Sequence, residues 1–329
     1  MALSIGLAPN CDERIIAAIR HVLAASREQG HCYLKSEQIR TAIEELLTLD
    51  LGDRFARILT LMEKRNQLKV RTLKSDNGGP ELCYYSKPLY YDEEKVASWV
   101  NSLHAQIEID TQKVTDWITR YCSSHRITLS EDQAEAVGQV VRYQFSVLTG
   151  GPGCGKTTTT LVIVRLLEAM QQNVLLAAPT GRAAQRMGEV IGREARTLHR
   201  LLEWQGGGFV RNEENPLQAD FLIVDECSML DISLTASLLS AVPSDCRVLF
   251  IGDADQLPSV GAGNVLRDII TSGVVPCFCL TQVFRQARES HIISFAHQIN
   301  RGEIPRIESP FKRPEIWEKG TDCLFIDSD

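Results

Sequence analysis

The chain has 329 residues, 44% of them apolar and 23% charged, which suits about two ordinary globular domains. No apolar run nears the roughly 18–20 residues of a membrane span, and the first residues lack a signal-peptide pattern, so a cytoplasmic protein without a membrane partner is expected. A net charge of −7 gives no general attraction to nucleic acid, although a local positive groove would suffice for one.

Residues 1–12 come first, a short lead into the stripe Ile15, Ile19, Val22 and Leu23, which marks one helical face. A second stripe, Ile39, Ile43, Leu46 and Leu47, follows Ser36, a candidate N-cap, and Phe55, Ile58, Leu59 and Met62 make a third. "QLKVRTL" and "ELCYYSK" flank the turn-rich "KSDNGGP", so residues 13–91 read as three helices and a two-stranded wing, a winged-helix-like domain. Seven Lys or Arg and one acid, Glu63, lie between Arg54 and Lys74. That run is either a solvated face or a phosphate-contacting one. Residues 92–126 read as one linking helix, with Val96, Trp99, Val100, Leu103 and Ile107 on its apolar stripe. From 127 to 329 the rhythm changes. Apolar runs at 145–149, 174–178, 221–225 and 247–251 alternate with helical segments, as in an α/β domain with a parallel sheet. At 202–216 "EWQGGGFVRNEENP" interrupts the alternation as an inserted hairpin. The ten cysteines are scattered without a C-x-x-C pair and read as reduced thiols.

"LTGGPGCGKTTT" places Gly150-x-x-x-x-Gly155-Lys156-Thr157 between a strand and a helix, the context that makes a P-loop pattern specific. Gly151, Gly153 and Gly155 let backbone N–H groups curl around a polyphosphate at the helix N-terminus, with Thr158 beside them. Lys156 is expected to reach the terminal phosphates of ATP and Thr157 to ligate Mg2+. "FLIVDECSMLD" puts Asp225 and Glu226 at the end of a parallel strand, on the rim facing the P-loop. Asp225 is the expected Mg2+ ligand and Glu226 the general base that polarises water. "IGDADQLPSV" carries Gln256 to the same rim, where a neutral amide can register the γ-phosphate.

"GGPGCGKTTTT", "AAPTGRAAQRM", "ARTLHRLL", "FLIVDECSMLD", "IGDADQLPSVGAGNVLRDI" and "LTQVFRQARES" stand in the order of the superfamily 1 DNA helicases. Together they resemble the RecD family in its N-terminally extended class, also known as the exodeoxyribonuclease V alpha-subunit family. The resemblance implies a P-loop RecA-like domain after a winged-helix-like one, ATP hydrolysis, and 5′-to-3′ movement on single-stranded DNA in repair or recombination. It further implies that Gln133 reads adenine, although Ser130-x-x-Gln133 is also a capping box. Thr180, Arg182 and His199 match residues that hold single-stranded DNA, and Arg285 matches an arginine at the γ-phosphate. Gln256 matches a coupling residue. The 202–216 hairpin matches a pin at the junction of single and double strands, with a packed insertion as the other reading. Residues 1–12 resemble the tail of a preceding helix-hairpin-helix region. Motifs of a second RecA-like domain are not visible, so the chain reads as a fragment whose missing domain is its partner, with weak ATP turnover alone. A nucleotide-gated DNA-binding or docking module without turnover is the rival reading.

Overall fold

The computed structural model describes residues 10–75, 78–102, 106–284, 290–309, 311 and 322–326. Helices α1 (Asp12–Ala25), α2 (Ser36–Leu47) and α3 (Arg54–Lys64) bury Ile15, Ile19, Ile39, Ile43, Phe55, Ile58 and Met62 against one another. Strands β1 (Tyr33–Lys35), β2 (Lys69–Lys74) and β3 (Pro80–Tyr85) form an antiparallel sheet in the order β1-β3-β2. The wing therefore has three strands, the first too short to stand out in sequence. Ser36 is not the cap of α2. It is the first helical residue, and the Gln38 side chain accepts the Lys35 N–H at 2.8 Å instead. Leu46, at 50% exposure, falls off the apolar face.

Three of the seven basic residues in that run face acids within the fold. Arg54 and Arg57 pair with Asp12, and Arg71 lies between Glu93 and Glu94. Arg71 and Lys69 also sit over the Tyr90 ring.

The expected linking helix is two helices, α4 (Lys87–Asn101) and α5 (Thr111–His125), with Leu103 outside the described residues. Between them the Ile107 N–H bonds the Arg142 carbonyl, which removes it from any helical ladder, and Asp110 N-caps α5 through the Lys113 N–H. Nor is α4 a spacer. Leu89, Val96 and Val100 join the same core as Val147 and Phe250, Trp99 meets Phe145 edge-on at 5.2 Å, and Asp92 accepts the Ser233 hydroxyl at 2.6 Å.

The second domain is a parallel six-stranded sheet. Its strands are β4 (Phe145–Gly150), β5 (Val174–Ala178), β6 (Ala195–Thr197), β9 (Phe221–Val224), β10 (Arg247–Gly252) and β11 (Cys277–Leu280), in the order β11-β4-β10-β9-β5-β6. Helices cover both faces, as continuous apolar strands require. One face carries α5, α6 (Glu131–Val140), α7 (Lys156–Ala169) and α8 (Gly181–Ile191); the other carries α4, the single-turn α9 (Leu198–Leu201), α10 (Ile232–Ala241) and α11 (Val265–Ser272). A final helix, α12 (His291–Asn300), lies against the P-loop. Arg247 is buried at the start of β10, where its guanidinium bonds the Val141 carbonyl and the Gln172 side chain over the Phe221 ring. No helix among the described residues is long and apolar enough to cross a membrane.

Candidate nucleotide site

The strand order puts β4, β9 and β10 side by side, so the loops at their C-terminal ends share one rim. After β4 the chain turns through Gly153 and Gly155, both at φ +78°, and enters α7 at Lys156. A side chain at Gly155 is excluded twice: the backbone is left-handed, and a Cβ would stand 2.3 Å from Gln133 Nε2. Lys156 Nζ donates to the Gly150 carbonyl at 2.6 Å and the Gly151 carbonyl at 3.2 Å, so its ammonium lies on the loop itself. Thr157 is half-buried and Thr158 exposed at the helix start, while Thr159 and Thr160 bond back to the Gly155 and Lys156 carbonyls.

Asp225 continues the β9 ladder by one bond, from its N–H to the Ala177 carbonyl at 2.9 Å. Glu226 then turns to φ +54°, a left-handed conformation that costs a non-glycine residue about 1–2 kcal/mol and is held here by its N–H to Asp225 Oδ1 at 2.8 Å. Burial pushes the Asp225 carboxyl above the usual range, against the pull of the Glu226 N–H, Lys156 and Arg186. Glu226 is raised too, by burial first and then by the charge of Asp225. The next residues form a 3-10 turn, Cys227–Met229, where the Ser228 hydroxyl donates to Gln256 Oε1 at 3.2 Å. The loop leaving Gln256 folds back on Ser259, whose hydroxyl bonds the Gly261 and Gly263 carbonyls, and the Gly263 N–H bonds Gly30 of the winged-helix domain at 3.0 Å.

One cavity of about 1000 Å3 gathers Gly151, Gly153, Gly155, Lys156, Thr157, Thr158, Asp225, Glu226 and Gln256. Four expected contacts lie elsewhere. Gln133 is fully buried behind the P-loop, where its Oε1 accepts the Ser130 N–H at 3.0 Å and its Nε2 donates to the Cys154 and Gly155 carbonyls. In this arrangement its amide faces the loop backbone. Thr180 caps α8, its hydroxyl accepting the Ala183 N–H, and Arg182 projects into solvent two residues on. Exposed His199 stands against the rings of Phe209 at 5.6 Å and Trp204 at 6.3 Å. Those aromatics belong to a small hairpin of β7 (Trp204–Gln205) and β8 (Gly208–Phe209), tighter than the 202–216 span, with Trp204 half exposed. Arg285 lies outside the described residues.

Several cavity residues escaped the sequence reading, Arg186 and Phe284 among them. Arg186 faces the acid pair from α8. Its place was legible in hindsight, because Ala183, Arg186 and Met187 fall on one face of a helix that starts at Gly181. Phe284, whose N–H bonds the Gly153 carbonyl, closes the loop from the β11 side; it lies within "LTQVFRQARES", where the resemblance marks Arg285 alone. From α12, His297 Nε2 meets the Pro152 carbonyl at 3.1 Å. Hydroxyl and carboxylate oxygens at Thr157 and Asp225 are the hard donors that Mg2+ takes, so the residues present fit that ion.

Fold and site together define a RecA-like P-loop nucleotide-binding domain. Residues 133–262 match the family model described as an AAA domain. Over 213 residues, 65% of this chain, it is 46% identical to the ATP-dependent RecD2 DNA helicase of Deinococcus radiodurans, and over 220 residues, 57% of the chain, 34% identical to the RecBCD enzyme subunit RecD of Haemophilus influenzae. The chain is thus similar to proteins named RecD2 and RecD, the first of them a DNA helicase by its printed name. It spans 29% and 32% of the length of those two relatives. Among solved structures, the Pif1 helicase from Candida albicans aligns at 25% identity with a TM-score of 0.41, covering 54% of this chain and 45% of that one.

Proposed function

We propose that the chain is the winged-helix and first motor part of an ATP-dependent DNA helicase, coupling ATP hydrolysis to 5′-to-3′ movement on single-stranded DNA in repair or recombination. It acts in the cytoplasm, and ATP turnover by the chain alone is slow. The observation that carries the reading is the meeting of Lys156, Asp225, Glu226 and Gln256 in one cavity, with Gln256 bonded to the loop of the acid pair.

Mg2+ held by Thr157 and Asp225 would offset charge on the terminal phosphates of ATP. Lys156 leaves the Gly150 and Gly151 carbonyls to meet those phosphates, a short move for a flexible ammonium. Glu226 accepts the proton of the attacking water, while Asp225 is left to Mg2+. Arg285 adds a cation at the γ-phosphate. Gln256 exchanges its Ser228 bond for the γ-phosphate and so moves the loop from Leu257 to Gly263. Thr180, Arg182 and His199 hold the strand through backbone and stacking contacts that do not depend on sequence. The Trp204–Phe209 hairpin meets the strand junction. The motif order supports polarity and pathway, and the name of the Deinococcus radiodurans relative supports ATP-dependent DNA helicase activity.

The test is steady-state ATP hydrolysis with and without a single-stranded oligonucleotide, beside ATP binding, for the wild type and Lys156→Ala. The reading expects ATP binding and slow, DNA-stimulated turnover, both lost in the variant. Binding that survives Lys156→Ala unchanged would overturn it, and binding without any turnover would favour the gated module.

A further inference from the structure

The winged-helix domain holds a second groove, of about 430 Å3, that shares no residue with the nucleotide cavity. Arg20, Leu23, Ala24 and Arg27 line one wall at the i, i+3, i+4, i+7 spacing of a single helical face. Lys87 and Leu89, from the first turn of α4, line the other. Among the described residues no carboxylate borders it. Among the described residues Arg20, Arg27 and Lys87 make no ion pair, whereas Arg40, Arg54, Arg57 and Arg71 of the same domain each face an acid. In a chain of net charge −7, three unpartnered cations around an apolar floor are what a polyanion with apolar sugar faces would meet.

Its place relative to the hairpin selects the occupant. Helix α4 runs from this groove to the hairpin, where Asp92 and Lys95 line a pocket with Trp204 and Phe209 and Lys95 pairs with Glu213. From Lys87 to Lys95 is about 12 Å of helix, or roughly three to four base pairs at 3.4 Å each. We infer that Arg20, Arg27 and Lys87 bind the phosphate backbone of duplex DNA just ahead of the strand junction. Arg20 and Arg27, about 10 Å apart along α1 and its 3-10 extension, then contact separate phosphates of one strand. This rests on the helicase reading, and makes the winged-helix domain a duplex holder by a face other than its basic α3.

The experiment compares Arg20→Ala/Arg27→Ala/Lys87→Ala with the wild type, by anisotropy, on a forked DNA and on a short single-stranded oligonucleotide across a salt series. Fork affinity is expected to fall on the order of tenfold, and the slope of its logarithm against log salt to shrink by about two to three, while single-strand binding is unchanged. The charge-keeping Arg20→Lys/Arg27→Lys variant should bind forks as the wild type does; equal weakening there would overturn a charge contact. Unchanged fork affinity and slope in the triple variant would sink the proposal, as would equal loss on the single strand, or loss of an acidic peptide's binding alone. If Arg182→Ala weakens single-strand binding while the triple variant leaves forks untouched, this groove reading fails by itself. A wild-type chain that binds neither DNA would fail the helicase reading, and this one with it.

Discussion

Replacing Gln133 by Leu separates a base-reading amide from a loop-holding one. The substitution keeps the volume but removes three hydrogen bonds. They are not equivalent. The Gly155 carbonyl still accepts from the Thr159 N–H and hydroxyl, so its loss is small. The Ser130 N–H is partly exposed and can turn to water. The Cys154 carbonyl has no other donor among the described residues and is stranded in the interior. At about 1–3 kcal/mol for the stranded carbonyl and about 0.5–1 kcal/mol for each of the others, the total is about 2–5 kcal/mol. For a domain near 200 residues that lowers Tm by roughly 4–20 °C. A loosened P-loop binds every nucleoside triphosphate less well, so ATP and GTP affinities, measured with fluorescent analogues, should fall by equal factors. A selective loss of ATP, with GTP affinity and Tm unchanged, would refute this reasoning and show that the amide reads the base.

Glu226→Gln should cut ATP turnover by about 10²–10⁴-fold while ATP still binds, because only the base is removed; single-turnover hydrolysis beside equilibrium binding measures both. Glu93→Gln probes burial against pairing. Burial raises this carboxyl, and it outweighs the pull of the Tyr85 hydroxyl and of Arg71 at 3.6 Å. A raised folded pKa favours the fold below the ordinary carboxylate range, and that advantage is lost as pH rises through the raised value. The variant should therefore be at least as stable as the wild type in urea at pH 7, its margin shrinking toward pH 4.5. A variant that is less stable at pH 7 by as much as a broken buried ion pair would mean the Arg71 contact dominates.

The P-loop and the acid pair were readable because each couples a special backbone to a fixed side chain: glycines at 153 and 155 before Lys156, and two acids at the end of "FLIV". The four long apolar strands declared themselves for the same reason, being buried on both faces. What stayed hidden was short or tertiary. Strands β1 and β6 have three residues each and too little pattern to register. The break between α4 and α5 depends on a bond from Ile107 to Arg142, distant in sequence, and the apolar stripe ran on across it. For Gln133 the capping box and the adenine contact predict the same residue. Only the approach of the Cys154 and Gly155 carbonyls shows which way the amide turns here. The basic stretch from Arg54 to Lys74 invited a phosphate, but its partners, Asp12, Glu93 and Glu94, come from outside the stretch.

In the proposed cycle, nucleotide occupancy reaches the DNA face through Gln256. The most direct test is the affinity of a single-stranded oligonucleotide with and without a non-hydrolysable ATP analogue, in the wild type and in Gln256→Ala. The account predicts a shift of about five-fold or more in the wild type, within the usual range of coupling between sites, and none in the variant although it still binds the analogue. A wild-type affinity that ignores the analogue, or a full shift that survives Gln256→Ala, would contradict it.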